Sequence, residues 1–121
     1  MKIVMKTIPV TTSAGGDFSE SVFPEKAIFM RLSYKPSGDP IDTAGDLTIT
    51  ESATGVVLYT QANIGTAAFT KLPRAPICPY TDGINSATVF DYIPTADKLT
   101  LTIANGGNAK SGTFYLLFGE A

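Results

Sequence analysis

Lys98-Leu-Thr-Leu-Thr-Ile-Ala-Asn-Gly-Gly-Asn-Ala-Lys-Ser-Gly-Thr-Phe-Tyr-Leu-Leu-Phe118 is the stretch that decides the fold. Leu99, Leu101 and Ile103 fall on one side of an extended chain, and Lys98, Thr100 and Thr102 on the other. A period of two residues marks a strand with one buried face. Asn105 to Lys110 is rich in residues that turn the backbone, and a second apolar strand runs on to Phe118. Two such strands around a Gly/Asn turn predict an antiparallel hairpin.

The same grammar recurs upstream. Met1 to Thr12 alternates Ile3 and Met5 against Lys2, Val4 and Lys6, and Pro9 confines it to an edge or a strand end. Asp17 to Phe23 reads as a second strand. Ala27 to Lys35 sets Ile28, Met30, Leu32 and Tyr34 against Phe29, Arg31 and Ser33. Residues 36–45 form a loop dense in the turn formers Pro, Gly, Asp and Ser. Asp46 to Glu51 alternates, and Ala53-Thr-Gly55 turns it into Val56 to Thr60. Ala67 to Leu72 and Val89 to Ile93 complete the set. The segment between them, Pro73 to Gly83, holds three prolines and cannot pair as a central strand. Eight to nine short strands, with no capped 3.6-residue period, predict an all-β fold. The expected architecture is a single antiparallel β-sandwich over residues 1–121, jelly-roll-like, with residues 1–12 as an edge strand or an arm.

Composition narrows function mostly by exclusion. The chain has 121 residues, a net charge of −2 and only 17% charged residues, with polarity supplied instead by residues such as its sixteen threonines. Its nine Lys and Arg residues are scattered, which argues against binding nucleic acid. The N-terminus lacks a signal-peptide apolar region, and no apolar run approaches a membrane span, so cytoplasmic synthesis and no membrane partner are expected.

There is no histidine, the commonest general base and metal ligand, and a single cysteine, Cys78, between Ile77 and Pro79. No cofactor and no catalytic group are expected, and the protein reads as a non-enzyme. Asp39, Asp42 and Asp46 share one loop, where they fit either a hard-cation site or turn chemistry. A carboxylate pair for hydrolysis has candidates in Glu20, Glu51, Asp82, Asp91 and Asp97, but no spacing selects two of them. A groove lined by Tyr34, Tyr59, Tyr80, Tyr92 or Tyr115 would suit a carbohydrate- or receptor-binding module.

Leu72-Pro-Arg-Ala-Pro-Ile-Cys-Pro-Tyr80 is either a crossover broken by proline or an extended arm that loses little entropy on docking. Arg74 and Tyr80 are residue types that anchor interfaces. The candidate partner contacts are therefore Arg74, Pro76, Ile77 and Tyr80, with Ile3 and Met5 in the N-terminal strand.

Several motifs carry a resemblance. They are Pro9-Val-Thr-Thr-Ser-Ala-Gly15, Asp46-Leu-Thr-Ile-Thr50, Pro73-Arg74 leading to Asp82-Gly83, and the closing Leu99-to-Gly107 strand and turn with Lys110-Ser-Gly-Thr113. In these the chain resembles small proteins from the structural gene modules of tailed bacteriophages. The resemblance implies a capsid decoration, or cement, protein on the outside of an icosahedral head. It would act as a homo-oligomer, dimer or trimer, bridge subunits of the major capsid protein and reside in the virion. A tail or head–tail connector component is the alternative within the particle.

Overall fold

A computed structural model describes residues 2–24, 27–76, 83–85, 90–95 and 98–120, and in them the chain is all-β. Eleven strands are described: β1 (Lys2–Thr11), β2 (Phe18–Val22), β3 (Ala27–Pro36), β4 (Asp46–Glu51), β5 (Val57–Gln61), β6 (Phe69–Lys71), β7 (Ala75–Pro76), β8 (Phe90–Asp91), β9 (Ile93–Thr95), β10 (Leu99–Ala104) and β11 (Ser111–Glu120). One sheet has the order β1-β11-β3-β6, with β9 also on β3. The second has the order β2-β10-β4-β5, and β7-β8 form a small ribbon. All pairings are antiparallel. The count exceeds eight to nine because β7 is added and because the expected strand Val89 to Ile93 divides at Tyr92 into β8 and β9.

The two sheets form a sandwich around one core. Ile8, Val10, Phe29, Leu32, Tyr34, Phe114, Leu116 and Phe118 come from the first sheet, and Leu47, Ile49, Leu99, Leu101 and Ile103 from the second. Tyr34 stacks on Phe114 with ring centroids 4.7 Å apart, and Phe29 meets Phe118 at 5.5 Å. Such offset and tilted pairs add about 0.5–1.5 kcal/mol each to the burial of their area.

The expected closing hairpin is not there. β10 is flanked by β2 and β4, while β11 is flanked by β1 and β3. The two strands are middle strands of opposite sheets. Alternation of apolar residues reports which face a strand buries, and both of these strands bury one. It does not report the neighbour, which is settled by competition among all the strands for free edges.

β3 departs from its expected faces for a different reason. Alternation from Tyr34 backward would put Phe29 outside with Arg31 and Ser33. Instead Ala27 and Phe29 are buried at one end, and Leu32 and Tyr34 at the other. Leu117 lies opposite Arg31, but Phe118 lies opposite Phe29, so Met30 is the extra residue of a bulge. A bulge inverts the phase of the strand beyond it.

β1 lies at an edge, one of the two places open to Pro9. Thr12 N–H donates to Lys110 O at 2.9 Å, one step beyond the Thr11–Ser111 pair. In an antiparallel ladder the bonded residues alternate. The even residues of β1 therefore bond to β11, and the odd ones, Pro9 among them, turn their backbone groups away from it. Proline there forfeits no ladder bond. Ile8 and Val10 are buried, whereas Ile3 and Met5 are exposed on the outer face.

Two predictions follow from the packing around Tyr34. A Cβ on Gly112 would lie 2.9 Å from the Tyr34 hydroxyl and crowd the ring edge as well, and that ring is pinned between Phe114 and Phe69. Gly112→Ala is expected to cost about 1–3 kcal/mol in urea unfolding without a change in m.

The Tyr34 hydroxyl accepts the buried Ile41 N–H at 3.3 Å. Burial raises the Tyr34 pKa above the ordinary value, and the Ile41 bond offsets part of that rise. A raised folded pKa stabilises fully below the unfolded pKa of about 10 and loses that contribution as pH climbs past it. Stability measured from pH 8 upward should therefore fall near pH 10, and Tyr34→Phe should flatten that decline.

Candidate functional site

Asp39, Asp42 and Asp46 have three separate anchoring roles. Asp39 Oδ1 accepts from Lys110 Nζ at 2.9 Å across two exposed loops. That hydrogen bond, and then the charge of Asp39, raises the Lys110 pKa. Asp46 Oδ1 accepts the Asn63 N–H at 3.2 Å and its Oδ2 accepts Asn105 Nδ2 at 3.1 Å. Asp42 packs its carboxylate against Gly107. Among the described residues no group of three or more His, Cys, Asp or Glu is placed to hold a metal ion. Of the hydrolytic candidates, Glu20, Glu51 and Asp91 sit on β2, β4 and β8, while Asp82 and Asp97 lie outside the described residues.

These loops meet in a corner centred on Thr12, which is 3% exposed. Its Oγ1 donates to Gly107 O at 2.6 Å and accepts the Lys110 N–H at 2.9 Å. Gly106 N–H donates to Gly16 O at 2.8 Å, and Gly106 O accepts the Asp42 N–H at 2.9 Å. Gly16 has φ +84°, and a Cβ on it would stand 2.8 Å from Gly107 N. The corner is a backbone lock, and Thr12 is a residue whose role sequence reading missed. Its only signal was a threonine at the end of a strand, beside a glycine turn.

The described tyrosines do not gather. Tyr34 is in the core; Tyr59 donates to Gln61 Oε1 at 2.5 Å on β5; Tyr92 is exposed beside β9; Tyr115 is half-buried on the outer face of β11. Tyr80 lies outside the described residues. Tyr115 borders a shallow, open depression of about 360 Å³ with Pro9, Thr11, Lys35, Ser37 and Thr113.

The candidate partner contacts separate into three kinds. Ile77 and Tyr80 lie outside the described residues, as does Cys78. Pro76 is exposed on β7, opposite Phe90. Arg74 has an intramolecular task. β6 pairs with Leu32–Tyr34 and β9 with Ala27–Phe29, both on one edge of β3, which leaves a gap in that edge between Phe29 and Leu32. Met30, the bulged residue, faces the interruption. Arg74 Nη1 donates to Met30 O at 3.1 Å and to Pro73 O at 2.6 Å, and its guanidinium lies 4.0 Å from the centre of the Tyr92 ring. It stands in for the missing ladder donor and ties the chain after β6 to Tyr92, just before β9.

Ile3 and Met5 are 54% and 53% exposed. They belong to the outer face of the first sheet, whose rows follow from the register. Met5 aligns with Leu117 and Arg31, Thr7 with Tyr115 and Ser33, and Pro9 with Thr113 and Lys35. The only charges in these rows are Arg31 and Lys35, on the third strand in.

Arg74→Ala should cost about 1–3 kcal/mol, the price of a carbonyl left without its donor and a lost ring contact. Arg74→Lys, which keeps the charge but not the planar fork, should fall between the two in thermal unfolding.

No family model matches the chain, and no curated protein matches it significantly.

Proposed function

We propose that the protein is a virion structural protein that decorates the outside of an icosahedral phage head and stabilises it by bridging subunits of the major capsid protein. The observation that carries this reading is the outer face of the first sheet. It is extended and mixes exposed Ile3 and Met5 with Leu117, Tyr115 and threonines. Surfaces of that kind, with exposed apolar side chains on the edge strand and the charge of these rows held on β3, suit contact with protein. Further apolar groups, Leu72 next to β6 and Phe90 on β8, are exposed. The resemblance in the Pro9–Gly15, Asp46–Thr50 and Leu99–Gly107 motifs supports the assignment to a phage particle.

The jelly-roll reading belongs to the same proposal. The strand orders β1-β11-β3-β6 and β2-β10-β4-β5 support it, because they place the first and last strands side by side and alternate β1 to β4, and again β9 to β11, between the two sheets.

The test is sedimentation of purified protein with undecorated heads of tailed phages, taken before and after expansion. Saturable co-sedimentation is expected, and Tyr115→Ala should weaken it by about tenfold, the effect of one contact of ~1.4 kcal/mol. Absence of co-sedimentation with heads in either state would overturn the proposal.

A further inference from the structure

The outer side of β1 is an open strand edge. Among the described residues no backbone hydrogen bond reaches it, and its only pairing is with β11. Because the even residues bond to β11, the outward donors are the N–H groups of Ile3, Met5, Thr7 and Thr11. Pro9 supplies none. The uninterrupted donor segment is thus Ile3 to Thr7, symmetric about Met5. Its odd side chains include Ile3 and Met5, both more than half exposed.

An edge of this kind takes an extended strand, and a second copy of the same edge satisfies it if the two run antiparallel about a twofold axis. Charge and proline choose among the registers. Centring the axis on Val4 sets Lys2 opposite Lys6 of the second copy, and centring it on Lys6 sets Lys6 opposite itself; like charges directly opposite destabilise a pair. Centring it on Thr7 sets Pro9 opposite Met5 and loses a donor on each side. Centring it on Met5 pairs Ile3 with Thr7 and Met5 with Met5, faces Lys6 with Val4 and Lys2 with Ile8, and leaves Pro9 beyond the bonded segment.

The geometry points to a homodimer in which two first sheets join edge to edge through β1, in antiparallel register centred on Met5. The inference rests on the homo-oligomeric part of the proposed function and names the surface and register that part leaves open. Five paired residues a side bury less than the roughly 800 Å² per partner of a standard interface. The dimer is therefore weak in solution and dissociates on dilution.

Sedimentation equilibrium from about 10 µM to about 1 mM, the range in which an interface below standard size associates, should show mass rising from monomer toward dimer. Thr7→Pro removes an outward donor without touching the β11 ladder, and should hold the protein monomeric while circular dichroism stays that of the parent.

Single thiols in a Cys78→Ser background read the register. Met5→Cys places two Cα atoms about 5.5 Å apart, within disulfide reach, whereas Ile3→Cys leaves them about 14 Å apart. Met5→Cys should oxidise to a covalent dimer and Ile3→Cys should not. A monomer throughout the range, a trimer, association indifferent to Thr7→Pro, or equal cross-linking at both positions would overturn the inference. Head binding by a strict monomer would remove this dimer and leave the proposed function standing. A dimer that ignores heads would do the reverse.

Discussion

Residues 105–110 carry the chain from the middle of one sheet to the middle of the other, and the rest of the molecule is arranged around that crossing. β10 and β11 are each flanked on both sides. Once they occupy the two centres, β1 and β2 are left to form one side of the sandwich, and the β3 to β6 segments the other. The crossing is held by backbone bonds among Gly16, Asp42 and Gly106 and by the Thr12 hydroxyl. Backbone groups at such a corner are out of reach of any ladder and need these partners. Glycine is required where two turns touch, as at Gly16.

The inner faces of most strands were legible in the residues. Leu47 and Ile49, and Leu99, Leu101 and Ile103, all point inward as their alternation says. Partners were not legible, since a period of two is the same whichever strand lies alongside. Nor was the bulge at Met30: nothing local distinguishes an extra residue in an otherwise alternating run, and it reversed the side of Phe29. Pro9 was the informative exception, because a missing donor restricts a position to an edge or a strand end in any fold.

The candidate site was legible in part for the same reason. Exposure of Ile3 and Met5 follows from their being on the outward phase of an edge strand. Arg74 was singled out as a partner contact, yet its guanidinium closes the gap that the bulge leaves on the far side of β3. That task depends on where Met30 and Tyr92 lie in space. The carboxylates of Asp39, Asp42 and Asp46 reach out to other loops, Asp39 to Lys110, Asp46 to Asn63 and Asn105, and Asp42 against Gly107, contacts that depend on where those loops lie in space.

The most direct test of the crossing is a set of backbone proton contacts measured by nuclear Overhauser effects in the isotopically labelled protein. Leu101 should show cross-strand contacts with Glu20 and Ile49, and Tyr115 with Thr7 and Ser33, the pairs that the register sets side by side. A ladder of Hα contacts running directly between residues 99–104 and 111–116 would mean that the closing strands form a hairpin, and would contradict the account.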